Sequence, residues 1–416
     1  MLKYIFFIEL LIVVLLSGCN NNQTGGNVPV IDLEDAFDNN CEYVNLSKYC
    51  KSIEYIPLET SYGSVFGTNM KRPLNIRADS NYVFIKDEQT YSIHIFSNKT
   101  GRHINTFNKR GRGPGEYPNF VFWDLQGEYN SDNFRIALDH LNSVFIYGNG
   151  GSFLHKIDAG YGDPWVSPIV NQVILTLNEE DNYIYTLDSE RHYNPQKGGN
   201  DIYNYLVKRD LSGGAESKLI AKRVKPWQWS GTKFFTYLNT LKYVTSGRDS
   251  IFKVKGIDNI SLEYLIDLGK YEYFRVNGRP LKSDPTAYYE PANYLIFENE
   301  YFIALLGYLP TLDLPQIFLR GGYDKWCPSL ILYDKKEQKT YALKRLPEYD
   351  YIGLVNDLDG GMPFAPVCVK HNKMYQFIEA DDFIELAEQC NVPRMKEIAA
   401  TLTEESNPVM VVATLK

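Results

Sequence analysis

Tyr82-Val83-Phe84-Ile85-Lys86, Ser92-Ile93-His94-Ile95-Phe96 and His103-Ile104-Asn105-Thr106-Phe107 follow one another in the chain with short breaks between them. Each run has strand length and is rich in β-branched and aromatic side chains, which pack well on a pleated surface. The breaks carry turn chemistry, as in Asn98-Lys99-Thr100-Gly101. Residues 75–78, ahead of Asp79-Ser80-Asn81, add a strand in front. The stretch reads as a four-stranded antiparallel meander.

The same grammar returns at residues 120–125, 134–138, 143–147 and 153–157, and further units fall at about 166–222, 234–268 and 292–344. Strand spacing repeats while residue identity barely does. Short strands in units of about forty residues or more are the mark of a β-propeller. Sequence is left over at both ends. Residues 366–369, 374–378 and 408–415 supply three strands, and residues 53–58 supply a fourth. A blade built from both termini gives its edge strand ladder hydrogen bonds and closes the ring. Between those strands, Phe383, Leu386 and Ala387, then Met395, Ile398, Ala399 and Leu402, recur at helical spacing. We therefore expect an all-β, six-bladed propeller over residues 41–416 with a helical insert at about 381–402. Two stacked β-sandwiches are the competing architecture.

The N-terminus is an export signal. Lys3 is a positive n-region, residues 4–16 are apolar apart from Glu9, and Leu16-Ser17-Gly18-Cys19 closes the segment. Cleavage after residue 18 leaves Cys19 for lipidation, so the expected mature protein is held to a membrane by acyl chains. An ordinary secretory signal with a coincidental cysteine is the alternative. The apolar run is too short for a permanent span. Residues 19–40 are expected to be the lipidated cysteine and a flexible tether, on the strength of Asn20-Asn21-Asn22-Gln23 and Gly25-Gly26. The expected location is the cell envelope, with the outer membrane favoured and its face open.

Composition narrows the partners. A net charge of -8 speaks against nucleic acid, because phosphate binding needs a concentrated cationic face. The aromatic set of 32 Tyr, 22 Phe and 5 Trp favours strands. Beyond Cys19 lie Cys41, Cys50, Cys327, Cys368 and Cys390, an odd set; Cys41 and Cys50 are close enough in sequence to close a short loop outside the cytoplasm. There is no Cys-x-x-Cys pair, and the histidines are scattered singles, so neither zinc nor another cofactor is expected.

Three passages carry a family resemblance: Tyr55-Ile56-Pro57-Leu58-Glu59-Thr60, Arg110-Gly111-Arg112-Gly113-Pro114-Gly115-Glu116-Tyr117 and Asn407-Pro408-Val409-Met410-Val411-Val412. They resemble the six-bladed propeller lipoproteins of unknown function from Gram-negative bacteria. The resemblance covers nearly all of the mature chain. It departs most in the third blade, where residues 194–200 look inserted. It implies fold and export and leaves chemistry open.

Two groups of residues are candidates for binding. In the loop after blade one, glycines let backbone amides converge, Arg110 and Arg112 add charge and Glu116 sits beside them, which suits an anion. The same glycines also suit a tight crossover, with Glu116 paired to an arginine. Trp165, Trp227, Trp229 and Trp326 lie in Pro/Gly-rich segments, where an exposed indole is a platform for a sugar face; packing between blades is the plainer role. The expected function is non-catalytic recognition of a glycan, peptide or envelope protein. An enzyme, a lyase or glycoside hydrolase, would instead pair two of Asp124, Asp139, Asp163, Asp324 and Asp359 across the funnel. Asp139-His140 is half of an acid/base couple, and Asp357 with Asp359 is a conceivable calcium pair without an EF-hand signature.

Overall fold

The computed structural model describes residues 28–67, 75–120, 122–140, 143–158, 169–175, 183–194, 199–210, 214–223, 233–244, 250–271, 275–276, 279–280, 290–309, 327–347, 349 and 351–416. The described strands form six mainly antiparallel blades in a ring. Blade 1 comprises Ile76–Ala78, Tyr82–Asp87, Ser92–Ser97 and His103–Phe107, and blade 2 comprises Trp123–Gln126, Arg135–His140, Ser143–Tyr147 and Phe153–Asp158. Blade 4 runs from Lys233–Tyr237 to Asn259–Asp267, and blade 5 from Glu290–Glu298 to Lys339–Leu343. Blades 1 to 5 are each laid out from the centre outwards in chain order, and first strands of neighbouring blades meet around the axis.

Blade 3 explains the apparent insertion. Its second and third strands, Tyr183–Asn194 and Gly199–Asp210, stay paired out to Asn194 opposite Gly199. The extra residues lengthen one hairpin.

Ring closure is the expected one. Blade 6 orders Cys368–Lys370, Lys373–Ile378, Val409–Leu415 and then Cys50–Pro57, with Tyr55 opposite Val411 and Ile56 opposite Met410. The closing strand Val409–Leu415 is apolar on both sides, because each side meets a neighbour. Met410 and Val412 pack towards Val83, Ile85 and Phe96 of blade 1. Val409, Val411, Ala413 and Leu415 pack with blade 5 and the insert. Period-two alternation thus divides one strand between two cores. The insert is two helices, Ala380–Gln389 and Pro393–Ala399, which bury Phe383, Leu386, Met395 and Ile398. Proline at the start of the second helix removes an N–H that would have no partner there.

One region departs from expectation. The tether was expected to run to residue 40, but the chain is packed from Val30 onward. Val30–Asp32 adds a parallel fifth strand outside blade 4, pairing with Leu265, Ile266 and Asp267. A short helix, Leu33–Asp38, follows, and the Asp32 carboxylate caps it by accepting the Asp35 N–H at 2.8 Å. Cys41–Glu42 then adds a parallel strand outside blade 5. Ile31, Leu33 and Ala36 of this strap are fully buried against blades 4 and 5. The strap therefore crosses blades 4 and 5 before forming the outer strand of blade 6. Cys41, on the strand added to blade 5, and Cys50, at the start of the outer strand of blade 6, are free thiols. The short loop they were considered for closing is held instead by backbone pairing on either side.

Candidate functional site

The Gly-rich loop joins the outer strand of blade 1 to the first strand of blade 2. It is anchored by Tyr117, which is fully buried among Phe107, Phe120 and Tyr147. The Tyr117 hydroxyl donates to the Tyr91 carbonyl at 2.8 Å and accepts the Lys109 N–H at 3.3 Å, and burial pushes its pKa up to about 12. Gly115 has φ +72, and a Cβ there would lie 2.8 Å from the Phe153 ring. Only glycine fits that contact without movement.

The loop amides are largely engaged within the loop. Gly111 N–H donates to the Tyr117 carbonyl at 2.9 Å, and Tyr117 N–H donates to the Lys109 carbonyl at 3.1 Å. Gly113 N–H donates to the Glu116 carboxylate at 2.8 Å. The partner of Glu116 is thus an amide and not the arginine expected from sequence. Arg110 folds back, with Nε donating to the Pro118 carbonyl at 3.2 Å and its guanidinium 5.2 Å from the Tyr91 ring centre. Arg112 stays exposed. The loop rests on Phe107 at the end of the outer strand of blade 1 and, in blade 2, on Tyr147 at the end of the third strand, Gly151 in the turn that follows and Phe153 at the start of the outer strand. It therefore sits at the outer rim between blades 1 and 2.

Trp165, Trp227, Trp229 and Trp326 lie outside the described residues, as do Cys19, Asp163 and Asp324. Trp123, at the start of the first strand of blade 2, is fully buried.

The other carboxylates considered have separate environments. Asp124, on the first strand of blade 2, meets Arg77 on the first strand of blade 1, with Nε and Oδ1 3.3 Å apart. Arg77 also donates to the Trp123 carbonyl at 3.0 Å and lies over the Trp123 ring. This pair stitches the inner wall between two blades. On the inner strand of blade 6, burial pushes the Cys368 thiol up to about 11, while Arg77 and Lys370 pull it down. Asp139 is buried, accepting the Phe122 N–H at 2.5 Å, whereas the His140 ring meets Asn119 at 2.8 Å. Adjacent strand residues point to opposite faces, so sequence proximity does not couple them. Asp357 accepts from Ser47, and Asp359 accepts from Asn356, Gly361 and Tyr55. Each of these carboxylates thus faces donors.

Blade 1 holds a cluster that sequence reading did not single out. His94 is buried, with Nε2 3.4 Å from Ser92 Oγ and 3.9 Å from Asp87 Oδ2, and Nδ1 3.1 Å from Thr106 Oγ1. A hydrolytic triad sets serine and carboxylate on opposite ring nitrogens. Here both face Nε2, and burial holds the imidazole below its usual pKa. The cluster is a buried polar network. Likewise Lys242 in blade 4 meets Glu298 of blade 5 at 2.6 Å, and Lys335 meets Glu298 at 2.5 Å. The signal for it was lysine within an apolar strand run, which marks a paired buried charge.

A family model described as a domain of unknown function, DUF4934, matches residues 28–414. The chain belongs to this family. The start of the DUF4934 match agrees with the strap being part of the folded unit. Among solved structures, the chain is similar to a "Putative exported protein" from Bacteroides fragilis, at 16% identity and TM-score 0.58, over 94% of this chain and all of that one. A member of the DUF4221 family from Bacteroides vulgatus aligns at 13% identity and TM-score 0.49, over 91% of this chain and 98% of that one. The first likeness, at 16% identity, is one of fold alone. No curated protein matches the sequence.

Proposed function

We propose that this DUF4934 protein is a lipid-anchored envelope binding protein, non-catalytic, that recognises a glycan, peptide or partner protein through its crossover loops. Cys19 is the acylated residue. Arg110 and Arg112 contribute charge, Glu116 holds the loop in shape, and Trp165, Trp227, Trp229 and Trp326 contribute stacking surface. The observation that carries this reading is a secretion leader ending Leu16-Ser17-Gly18-Cys19 ahead of a ring whose buried polar groups, such as His94 with Thr106 and Lys242 with Glu298, engage one another. A rigid scaffold of that kind serves recognition at its loops.

The test has two arms. Labelled palmitate should enter the wild-type protein and not Cys19→Ser; equal labelling would remove the anchor. Envelope pull-downs and glycan arrays with Trp227→Ala/Trp229→Ala should show weakened capture relative to wild type. Unchanged capture would exclude those tryptophans from the site, and turnover of a captured glycan would replace the binding module with an enzyme.

A further inference from the structure

We propose that the outer rim of blade 1, together with the Gly-rich loop, binds a linear anionic glycan. This rests on the reading above and narrows its ligand to one class. The sequence from Gln89 to Gly115 contains Lys99, Arg102, Lys109, Arg110 and Arg112 and no carboxylate, within a chain of net charge -8. All five cations are exposed, and among the described residues none of them forms an ion pair. Lys99 and Arg102 precede the outer strand His103–Phe107, and the other three follow it. A five-residue strand spans about 17 Å, so positive charge flanks an exposed edge at both ends. Glu59 and Glu116, carboxylates at this rim, each accept a backbone N–H, Glu59 from His103 at 3.0 Å and Glu116 from Gly113 at 2.8 Å.

An aromatic platform lies alongside. Tyr62 is fully exposed, and the carbonyl of its neighbour Gly63 accepts the Thr106 hydroxyl of the outer strand at 3.5 Å. Exposed Val65 and Ile104 add apolar surface. Cations in a row beside an exposed ring match a chain of charged sugars, whose C–H faces stack while their acidic groups pair. An acidic peptide adding as a strand fits less well. The His103 N–H is taken by Glu59, and the Thr106 N–H donates to the Asn105 side chain at 2.8 Å, so donors an added strand needs are occupied.

The test titrates the protein carrying Cys19→Ser with polygalacturonate, neutral dextran and poly-glutamate. Saturable polygalacturonate binding is expected, weakening at least about tenfold between low and physiological salt as screening sets in. Lys99→Ser/Arg102→Ser/Lys109→Ser/Arg112→Ser should weaken it at least about tenfold with an unchanged melting temperature, since these side chains are exposed. Tyr62→Ala should weaken it several-fold, and dextran should not bind. The proposal is overturned if polygalacturonate fails to bind at low salt, if the charge variant binds normally, or if poly-glutamate binds as tightly. Any of those results alongside continued capture of a neutral glycan or envelope protein would leave the broader binding-module reading intact.

Discussion

Gly115 combines a left-handed backbone with a ring-packed Cα, so its replacement tests the loop at one atom. Gly115→Ala should cost about 1–3 kcal/mol from strain and the Phe153 contact, read as a lower urea midpoint with an unchanged slope; no change would mean the loop relaxes freely. The string of glycines was legible in sequence, but its purpose was not. Only the folded loop sets Glu116 against an amide and buries Tyr117 as the anchor. His94 gives the pH expectation. Burial holds its pKa below the usual value, with Asp87 opposing and His103 assisting, and His103 is itself lowered by burial against Glu59. An imidazole whose folded pKa is depressed contributes stability that is complete above about 6.5 and lost as pH falls below it. The melting temperature should therefore drop between pH 7 and 5, and His94→Gln should flatten that drop. An equally steep drop in His94→Gln would assign it elsewhere.

The strap is the element that sequence reading misplaced. Its added strands, Val30–Asp32 and Cys41–Glu42, are too short for an alternation pattern to register, and the polar Asn20-Asn21-Asn22-Gln23 and Gly25-Gly26 ahead of them extended the linker reading too far. Four-stranded meanders were legible because each strand carries several apolar residues between turn signals, and the insert helices because their apolar stripe recurs at 3.6 residues. Leu33, by which the strap packs on blades 4 and 5, is fully buried and should cost about 2–4 kcal/mol as Leu33→Ala. Thermal denaturation measures this; a loss under about 0.5 kcal/mol, as at a surface site, would mean the strap is not part of the folded unit.

For the whole molecule, the ring was predictable because propeller blades repeat one local pattern, and an incomplete blade at each end has one economical solution. The site was less legible. Loops carry no periodicity, and a charge row such as Lys99 to Arg112 gains meaning only when its strand proves to be an edge. The measurement that bears most directly on the account is disulfide trapping across the closing blade, with native cysteines other than the engineered pair replaced. Ile53 and Ala413 are opposite one another on antiparallel strands, within reach of a bridge. Ile53→Cys/Ala413→Cys should oxidise to an intramolecular disulfide in the folded protein and raise its melting temperature, while Ile53→Cys/Val409→Cys, out of register, should not. A free thiol pair at positions 53 and 413, or equal cross-linking of both variants, would contradict a ring closed by its own two ends.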